Sequence, residues 1–309
     1  MESTIPTVTR SRSLVLFVNA SAGSGETEKL LKLWRRGIPE ELLGAVFSVN
    51  NLSEYDQKLD RALAFCETEG ATLVVAGGDG TFNGVLTRTA SKRIVLGLIP
   101  TGTFNFFARS HGIPEVPEAA IEFLLSAEPV VLPLAYVNDK PFIVSVSIGL
   151  HPKVIAEREA HTRYVGRTRL AAWISGIWTI ARTRHLTRAT IYSGSSVIKI
   201  TTPLLLINFN SAQLFGLDHR FQYQPNKLAA LWLKPRSYWG IFAFILRGIS
   251  GHVLDEQSLE FEYKDDLSIE IRRRLVKVAL DGELLEFTPP LKFHVEKQGF
   301  SCLLQGKAL

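Results

Sequence analysis

Residues 72–81, Thr-Leu-Val-Val-Ala-Gly-Gly-Asp-Gly-Thr, join a short apolar run to a glycine-rich loop. The run Thr72–Ala76 predicts a buried strand, and Thr81–Ala90 after the loop predicts a helix. Glycines at such a junction let the backbone approach a ligand, and the amides at the helix start favour phosphate. The carboxylate of Asp79 indicates a loop that also meets a metal ion or orders a phosphate-bound network. A tight strand-to-helix turn without a ligand is the alternative.

Two familiar phosphate-binding motifs do not fit this chain. A dinucleotide fingerprint needs a third glycine where Asn83 stands, because Gly78 and Gly80 supply only the first two. A Walker A loop needs Gly-Lys followed by Ser or Thr, but Glu26 follows Gly25 in the earlier glycine loop. The chain also has no HExxH or GxSxG motif. The sequence therefore predicts a phosphate loop of another kind.

The segments around this loop alternate between strand and helix patterns. Apolar strands that alternate with helices are typical of a parallel sheet covered on both faces, so the first part of the chain is predicted as an α/β domain. The predicted strands are 14–19, 45–49, 72–76 and 94–99, and the predicted helices are 26–36, 54–69, 81–90 and 104–110.

The strand at 94–99 also runs into a turn-rich loop, Pro100–Arg109. The carboxyl ends of neighbouring parallel strands share one rim of a sheet, where ligands bind. The loops at 20–25, 77–81 and 100–105 are therefore expected to line one cleft, where hydroxyls, amides and Arg109 hold a triphosphate. Taken alone, Arg109 is more simply a charge on a helix surface.

Near Pro129 the pattern changes to strands with period-two alternation and short turns, which predicts an antiparallel second domain. Far downstream, Asp281-Gly282-Glu283 separates two apolar runs. Asp-Gly in that setting is a leading signal for a hairpin turn, yet no other segment offers a better pair of carboxylates. The predicted division is a disordered N-terminus at 1–13, a nucleotide-binding α/β domain at 14–130 and a β-rich domain at 131–309.

Composition favours an intracellular globular protein. Of 309 residues, 46% are hydrophobic and 21% are charged. Cys66 and Cys302 stand alone, which argues against a disulfide-stapled secreted domain and against a cysteine-based zinc site. No export signal is visible, and the longest apolar stretch, 238–246, is too short to span a bilayer. The prediction is a cytoplasmic protein that can lie peripherally on the inner face of the membrane.

The net charge of +5 is unevenly placed, with eight Lys/Arg against two Glu between Lys153 and Arg188. No zinc-finger spacing or RNP-type motif accompanies this charge, so nucleic acid is not predicted as a partner. An anionic membrane surface and a solvated helix face remain the two interpretations. The aromatic residues at 173–178 and 238–244 are either a membrane-facing surface or core, and core is favoured for most of them.

Three segments in this order resemble the diacylglycerol kinase catalytic-domain family, which includes sphingosine kinases, ceramide kinases and bacterial lipid kinases. Its GGDGT loop is similar to Gly77–Thr81, its loop ending in Phe-Ala-Arg to Pro100–Arg109, and its Asp-Gly-Glu to residues 281–283. The GGDGT loop alone is shared with NAD kinases and phosphofructokinases. The resemblance implies an N-terminal α/β domain with a parallel sheet like theirs and a mainly antiparallel, β-sandwich-like C-terminal domain, with nucleotide in the cleft between them.

The resemblance implies an ATP-dependent lipid kinase that uses Mg²⁺ and phosphorylates a hydroxyl of a lipid such as diacylglycerol. Asp281 resembles the proposed general base, and Glu283 resembles a residue that binds nucleotide and magnesium. Asp79, a second candidate metal ligand, and Arg109 would complete the catalytic set as a charged network around the phosphates. The remaining residues implied to contact ATP are Asn19, Gly78, Gly80, Thr81, Thr101, Gly102, Thr103 and Asn105.

Three positions depart from the family pattern. Its Asn-Pro is Asn19-Ala20 here, its Asn-Asp is Asn105-Phe106, and an acidic segment that holds accessory magnesium in bacterial members is replaced by Pro225-Asn226-Lys227. A catalytically silent lipid- or nucleotide-binding protein is therefore one alternative. A soluble-substrate kinase of the NAD kinase type is another, against which the Asp-Gly-Glu and Phe-Ala-Arg segments argue. Neither the lipid nor the oligomeric state is predicted.

Overall fold

A computed structural model of the chain describes residues 13–19, 24–90, 92–102, 105–149, 186–209, 227–233, 259–264 and 266–306. The chain divides into two compact units, one made of residues 1–134 and 297–309 and the other of residues 135–296. Nearly all of the predicted disordered N-terminus, most of the loop at 20–25, Thr103, most of the basic segment at 153–188 and the apolar stretch at 238–246 lie outside the described residues.

The first unit contains four parallel strands with helices between them. The helices are α1 (Ser24–Gly37), α2 (Tyr55–Glu69), α3 (Asp79–Thr89), α4 (Phe106–Ser110) and α5 (Pro117–Ser126), with short 3-10 turns at Glu40–Leu42 and Leu52–Glu54. The strands are β1 (Leu14–Asn19), β2 (Leu43–Val49), β3 (Thr72–Gly77) and β4 (Val95–Pro100).

These strands are hydrogen-bonded in the order β2-β1-β3-β4, and each pairing is parallel. All residues of β3 and β4 are buried, because a parallel sheet with helices on its faces has no solvated side. The predicted α/β domain with a parallel sheet is thus confirmed. None of the helices within the described ranges is long and apolar enough to cross a bilayer.

The bounds of some helices in the first unit differ from the sequence prediction, and one helix, α5, is not predicted at all. α3 begins at Asp79, two residues earlier than predicted, so that the carboxylate lies in its first turn. The sequence analysis predicts no element at α5, although Pro117 stands at its first turn and Ala120, Ile121 and Leu124 form part of its buried face.

The described strands of the second part of the chain are β5 (Glu128–Val137), β6 (Lys140–Phe142), β7 (Ser145–Gly149), β8 (Thr187–Ser193), β9 (Ser196–Thr202), β10 (Leu204–Asn208), β11 (Leu228–Leu233), β12 (Leu259–Lys264), β13 (Asp266–Ile271), β14 (Val276–Leu280), β15 (Glu283–Phe287) and β16 (Leu291–Leu304). The sheet β12-β11-β10-β7-β14-β15 is antiparallel throughout. A second antiparallel set joins β13 to β8, β8 to β9 and β13 to the start of β16.

One hydrophobic core is shared by these two sets of strands. Ile191 and Ile269 contribute from one set, and Val146, Ile207 and Val278 contribute from the other. Two antiparallel sheets that bury their inner faces against each other form a sandwich, so the predicted β-sandwich-like domain is confirmed.

The sequence predicts residues 297–309 as part of the second domain, and the structure differs on this point. They belong to the first unit, because Ser301 and Cys302 at the end of β16 pair in parallel with Val95 and Leu96 of β4. No local pattern in these residues reveals that pairing, since it joins segments about two hundred residues apart in the chain.

Candidate active site

Two glycine loops of the first unit touch backbone to backbone. β3 and β4 are neighbours, and the amide of Thr101 donates a hydrogen bond of 3.0 Å to the carbonyl of Gly77. A Cβ atom on Gly102 would lie 2.6 Å from the Cα atom of Gly78, and one on Gly78 would lie 3.0 Å from the Cα atom of Gly102. Neither position accepts a side chain without movement, so the glycines are needed for this close approach. The expectation that these two loops share one rim is met within this unit.

Asp79 joins the two loops through its carboxylate. Its Oδ2 atom accepts the amide of Phe106 and its Oδ1 atom accepts the amide of Phe107, both at 3.0 Å. These amides open α4 and have no partner inside that helix, so Asp79 caps a helix that is distant in sequence. The role of Asp79 as a metal ligand stays a prediction, while its capping role is what the geometry shows.

The short helix α4 is anchored by aromatic packing. The ring of Phe107 lies 4.7 Å from that of Phe82 in α3 and 6.1 Å from that of Phe300, measured between centroids. The ring of His111 also stacks on Phe107, with 4.2 Å between the centroids, and burial lowers the pKa of this histidine. The helix that Asp79 caps is therefore held in place by aromatic packing.

Asn105 closes the loop after β4. The residue is buried, with φ of 49°, a left-handed conformation that Asn tolerates better than most residues. Its Oδ1 atom accepts the amide of Gly102 at 3.0 Å, and its Nδ2 atom donates to the carbonyl of Gly102 at 3.1 Å. Nδ2 also donates to Glu115 at 3.2 Å. Asn105 thus fixes the conformation of the loop after β4, and this role does not depend on a contact with ATP.

Glu115 is a site residue that sequence reasoning missed. The Nε atom of Arg109 donates to its Oε1 atom at 2.8 Å, and the guanidinium also donates to Oε2 at 3.4 Å. Hydrogen bonds from Arg109 and then from Asn105 hold the pKa of Glu115 below its ordinary value. The only signal in the sequence is that an acidic residue follows six positions after Arg109. That spacing alone does not identify Glu115 as the ion-pair partner of Arg109. Glu115 orients both predicted ATP-binding side chains.

Replacing Arg109 with glutamine is expected to raise the pKa of Glu115 toward its ordinary value of 4.5. The pKa of Glu115 is lowered in the folded protein, so the ion pair with Arg109 stabilises the fold at neutral pH. This stabilisation is lost as the pH falls through the pKa that Glu115 has in the folded protein. Carbon-13 NMR titration of the Glu115 carboxyl group measures this change. Arg35→Gln, an exposed change at the end of α1, is the control and leaves the midpoint in place. Equal midpoints in wild type and Arg109→Gln would rule the ion pair out.

In the second unit, Asp281 and Gly282 form the two-residue turn between β14 and β15. Their φ angles of 46° and 92° are both left-handed, as in the turns that Asp-Gly favours in hairpins. The predicted hairpin is therefore present. Because the strands pair up to Leu280 and Glu283, the turn presents both carboxylates of the Asp-Gly-Glu segment at one end of the sheet.

The carboxylate of Asp281 is held by three backbone amides. Oδ1 accepts the amides of Val144 and Ser145 at 2.9 and 2.8 Å, and Oδ2 accepts the amide of Ile143 at 2.8 Å. The amide of Asp281 in turn donates to the carbonyl of Ser145 at 2.9 Å. Hydrogen bonds to an ionised acceptor are about twice as strong as neutral ones, so this side chain locks the turn to the start of β7.

Glu283 has a different environment. The residue is exposed, and no hydrogen bond or ion pair joins its carboxylate to the described part of the chain. Nearby protein atoms still exclude some water from the carboxyl group, and this desolvation raises the pKa of Glu283. Of the two carboxylates at the turn, Glu283 is the one that accepts no hydrogen bond from the described residues.

The predicted site residues fall into two groups. Asn19 ends β1 beside β3, and it shares the rim with the glycine loops. Asp281 and Glu283 lie together at one turn of the second unit. Within the ranges that the structure describes, no cluster of three or more His, Cys, Asp or Glu residues could hold a metal ion. The residues that share the rim of the first unit are Asn19, Gly78, Asp79, Gly80, Thr81, Thr101, Gly102, Asn105 and Arg109.

Comparison with known proteins agrees with the motifs. Two similar proteins, both named "Probable lipid kinase YegS-like", come from Enterobacter sp. (strain 638) and Serratia proteamaculans (strain 568). They are 36% and 39% identical to this chain over 88 residues, which is 27% of this chain and 29% of each relative. These alignments thus span less than a third of the relatives' length.

A solved structure shares the fold over nearly the whole chain. The crystal structure of a diacylglycerol kinase from Bacillus anthracis str. Sterne covers 96% of this chain and 98% of its own, with a TM-score of 0.69 and 17% identity. Residues 13–137 match the family of the diacylglycerol kinase catalytic domain. Over these residues, this chain is therefore similar to the catalytic domain of the diacylglycerol kinase family.

Proposed function

We propose that this chain is an ATP-dependent lipid kinase, which transfers the γ-phosphate of ATP to a hydroxyl group of a lipid such as diacylglycerol. The observation that carries the proposal is the pair of glycine loops, in which Gly78 and Gly102 touch at the rim of a parallel sheet. Backbone without side chains at a helix start is suited to phosphate oxygens. The family match and the lipid kinases among the relatives support the proposal.

The first turn of α3 supplies the proposed phosphate contacts. The amides of residues 79–81 have no acceptor inside the helix, since helix geometry leaves the first amides unpaired. Asp79 lies beside them, but its charge is shared with the amides of Phe106 and Phe107. That arrangement lets a carboxylate order the loops without repelling a bound triphosphate as a bare anion would.

Mg²⁺ is the proposed cofactor, and the available carboxylates fit it. Magnesium usually binds through one or two carboxylates, substrate phosphates and water, so a dedicated protein cluster is not needed. Glu283, exposed and unengaged by the described residues, fits such a ligand, whereas both oxygens of Asp79 already accept amides. When bound, the ion would neutralise charge on the phosphates.

Asp281 is the proposed proton acceptor. The lipid hydroxyl would lose its proton to a carboxylate while its oxygen forms a bond to the γ-phosphorus, and the bond to the leaving ADP oxygen breaks. Three amide donors fix the orientation of the Asp281 carboxylate, which is the positioning that such a transfer requires. Arg109, held by Glu115, would stabilise charge on the phosphates.

The test is transfer of label from ATP carrying a radioactive γ-phosphate into a mixed lipid extract with magnesium. Wild type is compared with Glu283→Gln and with a matched control on the same strand, Glu286→Gln. Both glutamates are exposed, and the structure pairs only Glu286 with a cation, Lys277, at 3.6 Å. We expect labelled lipid from wild type and from Glu286→Gln, and at least about a hundredfold less from Glu283→Gln.

Chromatography of the labelled product identifies the acceptor lipid. Equal labelling by all three proteins would refute the role of Glu283. If wild type binds ATP and varied lipid extracts stay unlabelled, the lipid acceptor is wrong, and a silent binding protein or a soluble acceptor takes its place.

A further inference from the structure

The turn between β13 and β14 carries three consecutive arginines, Arg272, Arg273 and Arg274, followed by Leu275. All three arginines are exposed, and Leu275 is 53% exposed although it is a large apolar residue. The turn is ordered by a hydrogen bond of 2.7 Å from the amide of Arg273 to the carbonyl of Ile271. None of the family-like motifs accounts for this run.

Strand β8 brings two further residues to the same place. Ile271 at the end of β13 pairs with Ala189, and both side chains are buried, so the exposed neighbours Arg272 and Arg188 lie near each other at this end of the two strands. Leu186, the residue just before β8, is 45% exposed. We call these six residues the arginine patch: Leu186, Arg188, Arg272, Arg273, Arg274 and Leu275.

The charges of the arginine patch have no carboxylate partner within the described ranges, since none of its four guanidiniums forms an ion pair or a side-chain hydrogen bond there. Two other described arginines do form ion pairs: Arg88 contacts Asp56 and Asp60, and Arg109 contacts Glu115. Like charges held close together repel, and an anionic ligand removes that cost. The patch is therefore complementary to a negatively charged surface.

We propose that the arginine patch docks this chain on a lipid bilayer that contains anionic phospholipids. Arginine side chains pair with phosphate head groups, and exposed leucines between them can enter the interface, where apolar area is removed from water. The phosphates of a nucleic acid would pair with the arginines but would leave the side chains of Leu186 and Leu275 exposed to water. The bilayer uses both parts of the patch.

The position of the patch limits its role to holding the chain at the surface. It lies at the opposite end of β14 from Asp281, about 17 Å along the strand at the usual rise per residue. The inference goes beyond the proposed kinase activity and does not depend on it, because binding is measured without ATP. A chain that docks but transfers no phosphate would contradict only the proposed function.

The test is co-sedimentation of the full chain with vesicles of phosphatidylcholine alone or of equal phosphatidylcholine and phosphatidylglycerol. The patch variant carries Arg272→Gln, Arg273→Gln and Arg274→Gln. A control variant of equal charge carries Arg35→Gln, Arg36→Gln and Arg61→Gln, all exposed positions of the first unit. Each basic residue near an anionic surface contributes about fivefold in affinity, so the patch variant should bind about a hundredfold more weakly.

Wild type is expected to bind the phosphatidylglycerol vesicles, to release them as salt rises, and to ignore phosphatidylcholine. The control variant should bind like wild type, and Leu275→Ser should weaken binding severalfold at every salt concentration. Equal weakening by both triple variants, or equal binding to the two vesicle types, would overturn the proposal. So would a patch variant that loses binding to duplex DNA while it keeps binding to the vesicles.

Discussion

Replacing Asp281 with alanine is expected to lower the free energy of unfolding by about 4 kcal/mol. Three amides, those of Ile143, Val144 and Ser145, lose their acceptor, and these residues are buried. Each donor left without a partner costs about 1–3 kcal/mol, and alanine at a φ of 46° adds about 1 kcal/mol. Unfolding in urea, followed by tryptophan fluorescence, measures the difference.

Two control variants separate the contributions to this loss. Asp281→Gly also removes the carboxylate but accepts the left-handed backbone, so it should recover about 1 kcal/mol. Asp139→Ala, at an exposed aspartate of another turn in the second unit, should change stability by less than about 0.5 kcal/mol. If Asp281→Ala unfolds at the wild-type urea concentration, the three hydrogen bonds carry no stability.

The proposed proton transfer needs a milder change at the same position. Asp281→Asn keeps the shape of the side chain and tolerates the left-handed turn, so most of the protein should remain folded. The rate of phosphate transfer should still fall about a hundredfold or more, since the amide cannot accept the proton. A variant that stays folded and keeps the wild-type rate would leave Asp281 with a structural role only.

The second large effect is expected from Gly102→Ala. Its Cβ atom would lie 2.6 Å from the Cα atom of Gly78 and 2.8 Å from the Oδ1 atom of Asn105, so the two loops must move apart. Such overpacking costs about 1–3 kcal/mol. Because the proposed phosphate amides lie in these loops, ATP affinity should fall about tenfold or more. Binding of a fluorescent ATP analogue and thermal unfolding measure the two effects.

Gly306→Ala is the matched control, because a Cβ atom at that position meets no atom within 4 Å. It should change neither ATP binding nor thermal stability. Gly78→Ala approaches the same contact from the other loop and should weaken ATP binding in the same direction. Unchanged ATP binding in Gly102→Ala would place the nucleotide away from these loops.

The parallel core of the first unit was predictable because its signal is local. An apolar run such as Thr72–Ala76, ended by glycines, describes a buried strand without reference to any other segment. The turn at Asp281-Gly282 was predictable for the same reason, since Asp-Gly tolerates two left-handed residues. Helix α5 was not predicted from the sequence, because it is short and its only local signals are an isolated proline and one apolar face.

The sequence was enough to place the glycine loops at the carboxyl ends of adjacent strands and to single out Asp79, Asn105, Arg109, Asp281 and Glu283. What each side chain touches came only from the tertiary structure. Asp79 caps a helix 27 residues away, and Asp281 accepts amides more than 130 residues away. The arginine patch joins β8 to a turn about eighty residues later. Such contacts depend on which strands become neighbours. The order of the strands is determined by burial of the whole core, so it cannot be inferred from the local spacing of residues in the sequence.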